Sequence, residues 1–119
     1  MASVRRFEDL DVWKDSKTLV VQIYKIFRES KDFGFRDQIC RASVSVMNNI
    51  AEGFERESDK EFQRFLYISK ASAGEVRSML YLASDLNYIS DDYAKELICS
   101  YEKLSSKLYT FIRYLNKNN

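Results

Sequence analysis

The sequence predicts an all-α protein, an antiparallel up-down-up-down four-helix bundle. Three observations carry that expectation. Apolar residues recur in steps of three and four along four separate stretches. The chain has no proline and only three glycines, Gly34, Gly53 and Gly74, too few turn formers for the many connections of a sheet protein. The breaks between the stretches are short, and short connections make neighbouring helices antiparallel. With 119 residues, 45% apolar and 31% charged, the chain can bury a core and has a globular balance.

The elements follow in order, within one domain of 1–119. The first helix is expected over about 9–30, opened by Asp9 or Asp11, whose carboxylates suit a helix N-terminus. Trp13, Val20, Ile23, Tyr24 and Phe27 form its apolar face. "SKDFGF" breaks the pattern, with Gly34 the residue there that adopts positive φ freely. The second helix is expected over about 35–56 from its 3.6-residue pattern. Phe35, Ile39, Ala42, Val46, Ile50 and Phe54 make one stripe; Cys40, Val44, Met47 and Ala51 make a second beside it. Two apolar stripes imply burial on more than one side.

"SDKEF" restarts the pattern. Ser58 is an N-cap candidate, and Glu61 three residues on completes a capping box. Gly53 lies too early to be a C-terminal cap and reads instead as a late-helix glycine that permits close contact. The third helix, about 59–88, carries a sustained seam of heptad type. That seam is Phe62, Phe65, Ser69, Ser72, Val76, Met79, Ala83 and Leu86, with Leu66, Ala73 and Leu80 alongside. Ser90 and the acids Asp91 and Asp92 open a fourth helix, about 91–116. Leu97, Tyr101, Leu104, Leu108, Phe111 and Leu115 continue the seam there.

Folding the second helix back on the third about the 56–58 corner pairs residues whose numbers sum to about 114, as antiparallel helices require. Ser45 then faces Ser69, Ala42 faces Ser72, and Arg41 comes within reach of Glu75. Small residues on both sides predict a close backbone approach. Arg41 and Glu75 are candidates for a helix-aligning ion pair. Glu52 and Arg56 have the spacing of a surface pair, and Asn49 and Glu52 share a face.

Catalytic, metal and cofactor chemistry finds little support, and no catalytic, metal-binding or cofactor-binding residues are expected. The chain has no histidine to serve as a base for a serine nucleophile or as a ligand in Glu-x-x-His metal pairs. There is no glycine-rich phosphate loop. Cys40 and Cys99 match no zinc or redox spacing and read as free thiols of a reducing compartment. No stretch approaches the roughly 18 apolar residues of a membrane span, and the N-terminus lacks a signal-peptide core, so a cytoplasmic location is expected.

A net charge of +1 gives no global field toward nucleic acid. Two local clusters remain candidates for nucleic-acid contact: Arg5 and Arg6 at the start, and Lys103, Lys107, Arg113 and Lys117 in an acid-free end.

Three segments together resemble one family, the small four-helix-bundle proteins that include those encoded in intervening sequences of bacterial 23S ribosomal RNA genes. They are "FEDLDVWKDS" (7–16), "RASVSVMNNIAEGFER" (41–56) and "EFQRFLYISKASAGEVRSMLYLASDLNYIS" (61–90). The likeness spans almost the whole chain. Ala71, where the family often has glycine, and Val76, where leucine is usual, are conservative departures. The resemblance implies a homo-oligomer, a ring of five. Related accessory proteins of diversity-generating retroelements form similar rings and associate with reverse transcriptase and nucleic acid, but they are markedly basic, and this chain is not.

The functional expectation is a non-enzymatic, homo-oligomeric helical scaffold that binds another macromolecule. The alternative is an RNA- or DNA-binding accessory protein. A second apolar row and plentiful exposed tyrosines, Tyr67, Tyr81, Tyr88 and Tyr109, point to a subunit interface.

Overall fold

A computed structural model describes residues 4–117. After a 3₁₀ turn at Phe7–Asp9 come four helices: α1 Asp11–Phe27, α2 Phe33–Phe54, α3 Asp59–Asp85 and α4 Asp91–Lys117. The described residues contain no strand. Corners of a few residues at 28–32, 55–58 and 86–90 join them. Each helix packs on the next, and α1 also meets α4, which closes the bundle. The result is a rod of 45 × 21 × 20 Å, its length set by the two 27-residue helices α3 and α4 at ~1.5 Å per residue.

The core is one continuous cluster. Ile23 and Phe27 of α1, Ile39, Val46 and Ile50 of α2, Leu66, Val76 and Leu80 of α3, and Tyr101, Leu104 and Leu108 of α4 are fully buried. All six predicted seam residues of α4 are buried. On α3 Phe62, Phe65, Ser69, Val76 and Ala83 of the predicted seam are buried together with Leu66, Ala73 and Leu80, whereas Ser72 and Met79 are half-buried and Leu86 is exposed. A straight helix drifts about 20° per heptad from a 3.5-residue repeat, so a long seam read by heptads rotates out of the core. On α1 the buried stripe is Val12, Ser16, Leu19, Ile23 and Phe27. Trp13 and Val20 lie at its margin and Tyr24 is exposed, which corrects the predicted face.

The second stripe of α2 is partly covered within the chain. Cys40 is buried, and Val44, Met47 and Ala51 are half-buried. The 3₁₀ turn packs on α2, and Phe7 borders the same shallow cleft as Ala51.

Helix boundaries follow their caps. Asp32 accepts a hydrogen bond from Phe35 N at 3.2 Å, so α2 begins at Phe33, earlier than predicted. Gly34 therefore sits in the first turn of a helix and not in a left-handed corner; no described glycine has positive φ. The residue that takes positive φ is Asn87, at 60°. Asn87 N donates to Ser84 O at 3.0 Å and Tyr88 N to Ala83 O at 2.9 Å. This is a Schellman cap, and it ends α3 at Asp85, earlier than expected. Ser58 caps α3 by accepting from Glu61 N at 3.1 Å. Only half of the capping box forms, because the Glu61 carboxylate turns to Arg64 at 3.1 Å. Ser90 caps α4, accepting from Tyr93 N at 3.2 Å.

Candidate functional site

Arg41, Asn49, Glu52, Arg56 and Glu75 lie on or beside α2 and α3, and glycine sets the spacing where those helices touch. A Cβ on Gly53 would lie 2.7 Å from Phe65 Cβ and 2.8 Å from Phe62 Cδ1. The close approach expected of Gly53 is therefore present. Next to it, hydroxyls cross between the helices. Ser69 Oγ donates to Val46 O at 2.7 Å, and Ser45 Oγ lies 2.8 Å from Ser72 Oγ. Asn49 Nδ2 donates to Ser45 O at 2.8 Å and to Ser45 Oγ at 3.0 Å.

The predicted register holds to within about one turn: Ser69 bonds to the Val46 carbonyl, next to the expected Ser45, while the Ser45 hydroxyl meets Ser72 and Gly53 packs on both Phe62 and Phe65. The Arg41–Glu75 ion pair does not form. Glu75 instead accepts from Gln38 Nε2 at 3.1 Å, and Arg41 stays exposed with no ion pair among the described residues. The Glu52–Arg56 pair is absent too: Arg56 lies over the Phe65 ring, 4.8 Å from its centroid, and Glu52 is exposed. Asn49 and Glu52 do not act together, since Asn49 turns inward to Ser45.

Beside this network α3 shows an apolar line to solvent. Ile68, one turn from Ser72, is 40% exposed; Leu82, two turns beyond Glu75, is 47%; Leu86 is 45%. Tyr67 and Tyr81 are exposed on the adjoining strip. Leu82 was not singled out by sequence, because Met79 and Leu86 were read as the seam.

The six cations proposed for nucleic acid do not form one patch. Arg6 pairs with Glu8 at 2.7 Å. Lys107 pairs with Asp15 at 2.7 Å, which holds its pKa above the usual lysine value, and it lines a groove against α1. Arg113 lies on the opposite side of α4, against α3 and near the Tyr109 ring at 5.9 Å. Arg5, Lys103 and Lys117 are exposed.

Burial pushes the Cys40 thiol up in pKa, while Cys99 is exposed. Among the described residues no group of three His, Cys, Asp or Glu side chains could hold a metal. None of the described helices is long and apolar enough to cross a membrane.

Residues 8–110 match the model of the 23S rRNA-intervening sequence protein family. The chain belongs to that family. A solved structure with this fold is a protein of unknown function from the S23 ribosomal protein family of Bacteroides thetaiotaomicron. It is 27% identical, covers 85% of this chain and 97% of its own, and superposes with a TM-score of 0.79. A comparison with curated proteins finds no match. As a 23S rRNA-intervening sequence family member, the chain shares the family's four-helix architecture with that neighbour. Its "NNIAEGFER" stretch (48–56) supplies the Gly53 contact and the Arg56–Phe65 stacking described above.

Proposed function

We propose that this member of the 23S rRNA-intervening sequence family is a non-enzymatic helical scaffold that assembles with copies of itself and binds another macromolecule. One observation carries the reading: the α2–α3 face joins an exposed apolar line to charges of both signs that have no ion pair within the chain. Ile68, Leu82 and Leu86 supply the apolar line. Arg41, Glu52 and Glu75 supply the charges, none of them ion-paired among the described residues. A surface with both signs around an apolar centre is complementary to a second copy of itself, and exposed apolar lines rimmed by polar residues mark association sites. The ring of five implied by the family resemblance is the assembly to test.

Light scattering at two salt concentrations measures it. A salt-resistant oligomer is expected, with Leu82→Glu and Ile68→Glu each lowering the mass toward a folded monomer. A wild-type monomer at all salts, or an oligomer indifferent to both substitutions, overturns the reading.

A second reading, contact with RNA or DNA, is supported by the acid-free end of α4. Lys103, Arg113 and Lys117 carry no ion pair among the described residues, and assembly would multiply their weak charge. Binding through them falls steeply with salt.

A further inference from the structure

The geometry points to an oxyanion site, fit for a phosphoryl group, in the cleft between α3 and α4. The cleft holds about 550 Å³ and is lined by Lys70 and Arg77 from α3 and by Glu102, Ser105, Tyr109 and Thr110 from α4. Its donors outnumber its acceptors. Arg77 Nε and Ser105 Oγ are both buried, and neither has a hydrogen-bond partner. Ser105 as a whole is only 8% exposed. Buried polar groups are normally satisfied, so an unpartnered donor on each of two residues that line one cleft is a standing cost there.

Charge points the same way. Neither Lys70 nor Arg77 is ion-paired among the described residues, and the one acid on the cleft, Glu102, is exposed and equally unpaired. Two cations against one acid leave the cleft positive. Water would supply acceptors but no compensating charge, and a carboxylate offers only two oxygens. A phosphoryl group offers three, enough for the guanidinium, the ammonium and the hydroxyls of Ser105 and Thr110 at once. Ser105 lines the cleft, and a change of its χ1 between staggered wells is the motion by which its Oγ would meet a ligand there. The Tyr109 ring forms an exposed wall at the same cleft, placed to stack on a base attached to the phosphoryl group. Tyr101, one turn before Ser105, is also buried without a partner but does not line the cleft and takes no part. The site involves other residues than the proposed self-association face and stands apart from it.

The test titrates the full chain with inorganic phosphate, with uridine 5′-monophosphate and with a short single-stranded RNA, followed by amide chemical shifts. Saturable binding of phosphate is expected, with the shifts centred on Lys70, Arg77 and Ser105. Arg77→Gln is expected to weaken it about tenfold or more, the loss of a charge-assisted donor. Ser105→Ala is expected to weaken it while leaving the thermal midpoint unchanged or higher, because it deletes an unpartnered hydroxyl. Should Arg77→Gln fail to fold, Lys70→Gln reads the same loss of charge. Tighter binding of the mononucleotide than of phosphate assigns the source to a small nucleotide. Tighter binding of RNA, falling steeply with salt, assigns it to a polymer backbone; both support the site when lost with Arg77→Gln. No saturable response to any of the three probes overturns the proposal. So does a response unchanged in both Arg77→Gln and Ser105→Ala.

Discussion

The hydroxyl of Tyr88, in the corner between α3 and α4, donates a 2.7 Å hydrogen bond to Asp32 Oδ2 in the corner between α1 and α2. The two residues are 56 positions apart in the chain, yet they clasp the same end of the bundle. Asp32 uses its other oxygen to cap α2 through Phe35 N, and the Tyr88 ring packs edge-on against Phe35 at 5.4 Å. One carboxylate thus ties a helix start to a distant corner.

This clasp predicts a pH dependence of stability. Donation by Tyr88, and next by Phe35 N, holds the Asp32 carboxyl below its usual range. A group whose pKa is depressed on folding stabilises fully above its unfolded value, about 4 for aspartate, and loses that contribution as pH falls through the folded value. Tyr88 is held above its ordinary value by the same bond. Its contribution is complete below about pH 10 and disappears as pH rises through the folded value. Tyr88→Phe keeps the ring on Phe35 and removes the hydroxyl. Thermal midpoints measured from acid to alkaline pH should fall less steeply in the variant at both ends. Superimposable profiles for the two proteins would refute the clasp.

Gly53 and Gly74 should respond to alanine with opposite signs. Alanine improves helix propensity by about 1 kcal/mol at either site. At Gly53 the new Cβ meets Phe65 Cβ at 2.7 Å, an atom fixed to the α3 backbone, so the helices must part. Overpacking costs about 1–3 kcal/mol, which equals or outweighs the gain. At Gly74 nothing lies within 4 Å. Urea unfolding should find Gly53→Ala destabilised by up to about 2 kcal/mol after subtraction of that gain, and Gly74→Ala stabilised by up to about 1 kcal/mol. A stabilised Gly53→Ala would mean that the α2–α3 spacing is not set there.

Tyr101 is fully buried, at 0% exposure, with no partner for its hydroxyl. Burial raises its pKa strongly, so it stays neutral throughout the ordinary range. Removing the oxygen should therefore cost nothing. Tyr101→Phe is expected to unfold at equal or higher denaturant, with a gain of up to about 1–2 kcal/mol from relieving the unsatisfied group. A loss of more than about 1 kcal/mol would show that the hydroxyl has a partner in solution.

Four helices, their order and most of the α4 face were legible in the sequence, because helical periodicity and N-caps such as Ser58 and Ser90 act within a few residues of themselves. The close contact at Gly53 was legible as well, since a glycine late in a helix has few other uses. The sequence alone thus determined the fold class, the approximate helix limits and, through its family likeness, the architecture. Only the tertiary structure decided what pairs with what. The Ser45 hydroxyl meets Ser72 while Ser69 bonds to the neighbouring Val46 carbonyl, and Glu75 bonds to Gln38, one turn before Arg41. These choices are invisible in either helix by itself, because they depend on which side chains of the partner helix come within hydrogen-bond reach. The Asp32–Tyr88 clasp and the Arg77–Ser105 cleft were illegible for the same reason. Their partners lie on different elements, and the energy that joins them exists only after the helices have packed.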